Sequence, residues 1–274
     1  MSAFIIILGV SALIGVLGSM LGVGGGLMIV PFLTLAKGVP VKVAIGASLV
    51  GVIATSSAAQ AVYVTRGLSH TRLGMTLEVA TTLGALAGGI TAVLVDARLL
   101  QALFVVMLVY ATWSMRRAPA GAAAPALTGV LDTAYDDPGG AKVAGGATVA
   151  YGVRHLPLGM VASFFAGNVS GLLGVGGGVI KVPVMTQVMG VPVKAAFATS
   201  NFMLGVTAAT SAALYFGKGF IEPRTAVPVA LGVLVGAQVG PRLAARTRTR
   251  TLRLLFQVLL VVMAGQMAWK AAGL

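Results

Sequence analysis

Apolar residues dominate this chain in long runs, and the charged residues collect in the short gaps between them. In the first half the runs cover residues 3–36, interrupted near the middle by glycines, then 43–64, 76–95 and 99–113. In the second half they cover 157–189, 195–216, 225–244 and 252–269. A helix needs about 20 predominantly apolar residues to cross the hydrocarbon core of a bilayer, so these runs predict several membrane-spanning helices. A transmembrane barrel would show segments of about 10 residues with alternating polarity, a pattern this chain lacks. The predicted class is an all-α polytopic membrane protein. Between the halves, residues 116–154 are more polar and rich in Gly, Ala and Pro. Their Asp136-Asp137-Pro138-Gly139-Gly140 is a turn signal. With 127–135 and 142–151 on either side, the stretch reads either as a small hairpin outside the membrane or as a plain linker.

The two sets of runs are copies of one unit. Residues 21–48 align without gaps on 173–200 at an offset of 152, and 16 of the 28 positions are identical. The shared core is Leu-Gly-Val-Gly-Gly-Gly, beginning at Leu21 and at Leu173. Val-Pro follows (Val30, Pro31; Val182, Pro183), and then Gly-Val-Pro-Val-Lys beginning at Gly38 and at Gly190. The register persists: Tyr63, Arg66, Gly67 and Arg72 face Tyr215, Lys218, Gly219 and Arg224. The predicted organisation is an N-terminal membrane repeat over 1–115, a linker over 116–155 and a C-terminal membrane repeat over 156–274.

Length decides what the glycines do. Two full spans need about 40 residues, whereas residues 3–36 supply 34 with the glycines in their middle. The economical solution is a V of two short helices whose tip lies inside the membrane. Each half then consists of a glycine-tipped, broken-helix hairpin followed by three transmembrane helices. Non-helical backbone at that depth is tolerated only where protein buries it or a watered cavity borders it, which is a physical reason to expect a site at the tip.

Counting basic residues in the connections orients the halves. If each V returns to its own side, one face carries Arg66, Arg72, Arg116, Arg117, Lys142, Arg154, Lys194 and five arginines within 242–253, twelve in all. The other face carries six: Lys37, Lys42, Arg98, Lys218, Arg224 and Lys270. If each V counts as one crossing, the tally is nine against nine. The positive-inside rule therefore favours inverted halves, with both termini outside and the linker in the cytoplasm.

Composition agrees with the pattern: of 274 residues, 58% are hydrophobic and 9% charged, against about 25% charged in soluble domains. The net charge of +13 would suggest nucleic acid in a soluble protein. Here the basic residues flank apolar runs, where they meet anionic headgroups, so no nucleic-acid partner is expected. There are no cysteines, which excludes disulfides and thiol chemistry. The first 21 residues lack a basic leader region and run directly into the motif, so they read as a retained membrane helix rather than a cleaved signal.

A helix that restarts after a glycine turn presents free N–H groups and the positive end of its dipole. Two such tips meeting from opposite sides would favour an anion. The candidate substrate-binding residues are accordingly Gly22, Gly24, Gly25 and Gly26 with Ser48, and Gly174, Gly176, Gly177 and Gly178 with Thr199, Ser200 and Asn201. The hydroxyls and the amide suit a small oxyanion held without full countercharge, or else they bond helix to helix. Thr55, Ser56, Ser57 and Thr207 follow about two turns along the same helices, and Asn168 precedes the second tip. Lys181 stands where the first repeat has Ile29. It reads either as a functional intramembrane charge, attracting the anion or releasing a proton, or as a lysine snorkelling to an interface. Glu78 reads as an interfacial acid near a helix start rather than as a proton carrier, and Arg72 and Arg224 as anchors. Asp96 and Arg98 form a polar connection. His70 and His155 lie in polar connections without evident ligand partners, so no metal site is expected. The glycine segment lacks the Gly-Lys-Ser/Thr ending of a phosphate-binding loop. No paired carboxylates, His cluster or nucleophile–base pair marks an enzyme.

At these residues the chain resembles the sulfite exporter family, also called TauE/SafE. The resemblance spans nearly the whole chain. It rests on residues 18–31 with the first Gly-Val-Pro-Val-Lys, on 171–183 with the second, on Ala198-Thr199-Ser200, and on 154–158 before the second hairpin. It implies an inner-membrane secondary transporter, of exporter type, for small sulfur-containing or organic anions such as sulfite, sulfoacetate or related sulfonates. Alternating access between the two repeats is the implied mechanism, and a passive anion channel of the same fold is the alternative. Lys181 looks like part of the family's usual second motif. The expected partners are the small anion and the lipid bilayer, with no cofactor. A homodimer and coupling to protons are left open.

Overall fold

A computed structural model describes residues 2–96, 131, 133–136 and 148–248, with parts of 98–107 and 250–265. Arg116, Arg117, Lys142, Arg253 and Lys270 of the charge count, and the expected turn beyond Asp136, lie outside the described residues. So does much of the fourth apolar run of each half, although helical residues occur within 98–107 and within 250–265.

The first described half contains α1 (Ser2–Met20), α2 (Gly26–Pro31, continued by a π-helical turn Phe32–Ala36), α3 (Val41–Thr65) and α4 (Thr71–Leu94). A small antiparallel hairpin follows, β1 (Thr133–Asp136) against β2 (Thr148–Tyr151). The second half contains α5 (Leu156–Leu173), α6 (Gly178–Gln187), α7 (Val193–Gly217) and α8 (Pro223–Arg246). Four of these helices, α3, α4, α5 and α8, are long and apolar enough to cross a membrane. The protein is an all-α polytopic membrane protein, with the β-hairpin as an appendage. Apolar side chains such as Leu13, Val79, Leu94, Phe165 and Phe216 point outward, where lipid rather than water is their natural solvent.

Local sequence explains each break. In both motifs three glycines adopt left-handed backbone: Gly22, Gly24 and Gly25 have φ of 69°, 68° and 77°, and Gly174, Gly176 and Gly177 have 68°, 76° and 72°. Side chains other than glycine's pay a steric penalty there, so the motif is a turn by backbone necessity. The arms it joins are unequal, which differs from the two short arms expected. α1 has 19 residues and α5 has 18, about 28 Å and 27 Å at 1.5 Å per residue. The returning arms are far shorter, 10 residues in α6. Pro31 sits at the end of α2, and the chain widens into a π turn immediately after it.

The Gly-Val-Pro-Val-Lys segment is a turn into a helix. Pro40 and Pro192 are the N-caps of α3 and α7, with extended ψ of 138° and 143°. The lysine that follows reaches the end of the next helix in its own half. Lys42 Nζ donates to the Val93 carbonyl at 3.0 Å, and Lys194 Nζ to the Ala245 carbonyl at 3.4 Å. A cation at these carbonyls complements the negative end of the helix dipole.

Packing crosses between the halves. α1 lies along α8, and α5 along α4, while α3 meets both α7 and α8. Small residues set these approaches. A Cβ on Gly84 or Gly88 would overlap the Phe164 or Asn168 carbonyl of α5, and one on Gly236 or Gly240 would overlap the Ala12 or Val16 carbonyl of α1. Between lipid-embedded helices, such close backbone approach supplies the van der Waals attraction that the hydrophobic effect does not.

Candidate functional site

The two glycine turns meet, and the meeting is reciprocal. Ser48 of α3 donates its hydroxyl hydrogen to the Gly174 carbonyl at 2.7 Å; Ser200 of α7 donates to the Gly22 carbonyl at 2.7 Å. Gly26 packs against the Gly174 carbonyl and Ser48, and Gly178 against the Gly22 carbonyl and Ser200, with no room for a Cβ at either. Gly24 and Gly176 are both covered by the side chains of Val52 and Leu204. Gly25 and Gly177, the left-handed N-caps of α2 and α6, press on Ile14 and on the Ala166 carbonyl. Each partner in this description is the 152-residue counterpart of its opposite number.

The structure therefore gathers all eight motif glycines, Ser48 and Ser200 into one buried locus, and both serine hydroxyls act there as helix-to-turn ties. Asn201 adjoins it. Its Nδ2 donates to the Ser19 carbonyl at the end of α1 (2.8 Å) and to Phe197 (3.1 Å), while its backbone carbonyl accepts from Ser56 at 2.5 Å. The Asn201 Oδ1 and the Ser170 hydroxyl are buried polar atoms without a hydrogen-bond partner among the described residues. Ser170 touches Gly177, so it belongs to this locus, although its counterpart Gly18 gave the sequence no reason to flag it. Thr199 faces elsewhere: its hydroxyl accepts the backbone N–H of His70 at 2.9 Å.

His70 is buried despite lying in a connection. Its Nδ1 accepts from the Leu73 N–H at 3.3 Å, which leaves Nε2 to donate to the Leu131 carbonyl at 2.8 Å. The ring edge also meets Tyr151 of β2, with centroids 5.9 Å apart. Burial holds this imidazole below its ordinary pKa; the Leu131 hydrogen bond opposes the shift and nearby Arg72 adds to it.

Lys181 enters a second cluster. Its side chain is fully buried, which removes the snorkelling reading. Its Nζ donates to the Thr207 hydroxyl at 3.0 Å and lies 3.6 Å from Glu78 Oε2, and Thr207 in turn donates to Glu78 Oε1 at 2.7 Å. Thr82 adds a longer bond to Oε1 at 3.4 Å. Glu78 is thus not an interfacial acid at a helix start. It sits two turns into α4, buried, as the counterion of Lys181. Its nearness to Arg72 in sequence was misleading, because α4 begins at Thr71 and carries Glu78 inward. Among the described residues, no three His, Cys, Asp or Glu side chains gather.

Known proteins place this architecture. The family described as Sulfite exporter TauE/SafE matches residues 7–267. The probable membrane transporter protein YunE of Bacillus subtilis (strain 168) is 27% identical over 228 residues, covering 80% of this chain and 81% of the relative. No solved structure matches. A match to a transporter family over nearly the whole chain, on a buried helical frame with lipid-facing exterior, makes this a multi-pass protein of the bacterial inner membrane with a transport role and no enzymatic one: the chain belongs to the sulfite exporter TauE/SafE family.

Proposed function

We propose that this protein is a secondary transporter that moves a small sulfur-containing or organic anion, of the sulfite or sulfonate kind, outward across the membrane. It works by alternating access between two inverted halves, residues 1–115 and 156–274, joined by a cytoplasmic linker. Each half is a broken-helix hairpin followed by three transmembrane helices. The observation that carries the reading is the reciprocal pair of bonds, Ser48 to Gly174 and Ser200 to Gly22. Each turn is held by the opposite half, so a conformation open to one side has a counterpart open to the other when the halves exchange roles. Paired broken helices at a repeat interface are where transporters of this build hold their cargo.

The substrate-binding residues in this reading are Gly22, Gly24, Gly25, Gly26, Ser48, Gly174, Gly176, Gly177, Gly178, Lys181, Ser200 and Asn201; Thr199, whose hydroxyl is turned to His70, drops out of the set. In this reading the restarting helices α2 and α6 offer their first N–H groups and positive dipole ends to the anion. Lys181, one turn into α6, supplies the positive charge. The family assignment supports a sulfur oxyanion as cargo.

The test is flux of sulfite and of sulfoacetate in proteoliposomes. Saturable uptake with accelerated exchange against preloaded anion is expected. Absence of flux for both anions, from protein shown to be folded, would sink the reading. Non-saturating flux with unitary currents would make it a channel.

A further inference from the structure

We infer that Glu78 is the proton-binding residue that couples anion passage to proton movement, by competing with the anion for Lys181. The inference rests on the anion-transport reading above.

The geometry makes the two partners mutually exclusive. Lys181 Nζ is buried among three elements, with Thr207 at 3.0 Å and the Glu78 carboxylate at 3.6 Å as its polar partners. Thr207 relays the contact by donating its own hydrogen to Glu78 Oε1 at 2.7 Å. The ammonium is therefore neutralised from within the protein. An anion arriving at Lys181 would meet a carboxylate already in place, and two negative charges sharing one buried ammonium is the costly arrangement. Protonation of Glu78 removes that competitor: a proton from water binds the carboxylate, the pair becomes a neutral acid beside a free ammonium, and the anion takes the vacated charge. When the anion leaves, Glu78 returns its proton and closes the ion pair again. One proton moves with each anion, and no bond other than O–H forms or breaks.

Two further features bear on this role. Glu78 Oε2 accepts no hydrogen bond among the described residues and meets Lys181 only across the 3.6 Å ion pair, so a proton on this oxygen would break that pair. Glu78 and Thr82 also line a cleft of about 470 Å³ formed with Met75, Val79, Leu83, Phe202 and Val206. Its other walls are mostly exposed apolar side chains, so it is a lipid-facing groove that reaches Glu78 without reaching Lys181. The other charges on the surrounding elements are remote in the fold. α5 carries no ionisable residue, Lys181 is the single one on α6, and Lys194 at the start of α7 bonds the end of α8. Arg72, on the first turn of α4, is exposed. The counterparts of Glu78, Lys181 and Thr82 are Ala230, Ile29 and Leu234, so the device occurs once and straddles the halves, with Glu78 and Thr82 from the first and Lys181 from the second.

The test uses the full chain and sulfoacetate, whose groups do not titrate near neutral pH. Adding sulfoacetate to purified wild-type protein in weakly buffered detergent solution should draw about one proton per anion bound. Its apparent Kd should rise about tenfold per pH unit where Glu78 is charged. In Glu78→Gln, a permanent mimic of the protonated acid, the Kd should become independent of pH and proton uptake should vanish. Glu78→Asp keeps the titrating group and should keep the proton uptake, which guards against a Gln variant that does not fold. Anion binding by wild type with no proton uptake, or a Glu78→Gln variant with the wild-type pH profile, would overturn the inference while leaving the transport reading intact. Wild type that neither binds nor exchanges sulfoacetate or sulfite would sink the transport reading itself.

Discussion

The two glycine turns are built alike and furnished differently. Around the first turn and the second, the same kinds of tie recur: serine to glycine carbonyl and lysine to the end of the fourth helix of its half, both at the same offset, and tyrosine to the end of the long helix before the turn, one residue out of register. In the last of these, Tyr63 donates to the Ser19 carbonyl at 2.9 Å and Tyr215 to that of Leu172 at 3.4 Å. The duplicated residues are thus the ones that hold backbone to backbone. What differs is polar and buried: Lys181, Glu78, Asn201 and Thr199 in one copy's surroundings stand opposite Ile29, Ala230, Leu49 and Ala47 in the other's. The frame recurs in both copies, whereas the charged pair occurs once and takes one member from each. The comparison can be broken or sharpened by substituting both members of each pair.

The largest contrast should come from Lys181→Met against Ile29→Met. The first leaves Glu78 buried without its counterion and should cost about 3–5 kcal/mol, with loss of anion binding. The second exchanges one apolar side chain for another and should cost less than about 1.5 kcal/mol. Thermal unfolding in detergent and sulfoacetate binding measure both, and equal effects would erase the distinction between frame and furnishing. Gly26→Ala and Gly178→Ala come next. Each forces a methyl group onto the opposite turn's carbonyl, and each should destabilise by about 1–3 kcal/mol. Here the two halves should agree; a large loss in one alone would show that the turns do not bear on each other equally. Ser48→Ala and Ser200→Ala should each cost about 1 kcal/mol, since a tie is lost and a buried carbonyl left unpaired. Again near-equality is the expected outcome, read from the melting temperatures of the two variants.

The smallest effect concerns His70, whose counterpart is Glu222. Burial lowers the proton affinity of His70 in the folded protein, so the unfolded chain takes up the proton first as pH falls. The stability this residue contributes is complete above the ordinary histidine pKa and declines as pH drops through it toward the lower folded value. A charged ring would also set its Nδ1–H against the Leu73 N–H at the positive end of α4. The melting temperature should therefore fall between mildly alkaline and mildly acidic pH. His70→Asn, which can still accept at the helix start, should flatten that dependence. A wild-type slope unchanged in the variant would assign the pH response to other groups.

Much of the frame was legible in the residues themselves. The glycine motif demanded a turn, Pro40 and Pro192 marked helix starts, and the apolar runs matched α3, α4, α7 and α8 to within a few residues. Where length was argued from the run as a whole, the outcome differed: 3–36 divides unequally, because the break falls at the glycines and not at the midpoint. The linker was readable only as a choice between hairpin and coil, and the strands β1 and β2 depend on pairing across residues distant in sequence.

By itself, then, the sequence determined the membrane class, the two copies, and the places where backbone must turn, since these follow from hydrophobicity and from φ angles that glycine and proline set locally. Tertiary structure alone decided what the turns face. A hydroxyl on α3 finds a carbonyl 126 residues away, and a carboxylate that looked interfacial finds an ammonium on α6. Such pairings depend on how helices cross, and a buried charge accepts its position only when the fold delivers the partner. The glycine turns were visible as turns from the start; that each is held by the other half, with a charged pair beside the second, was a matter of packing.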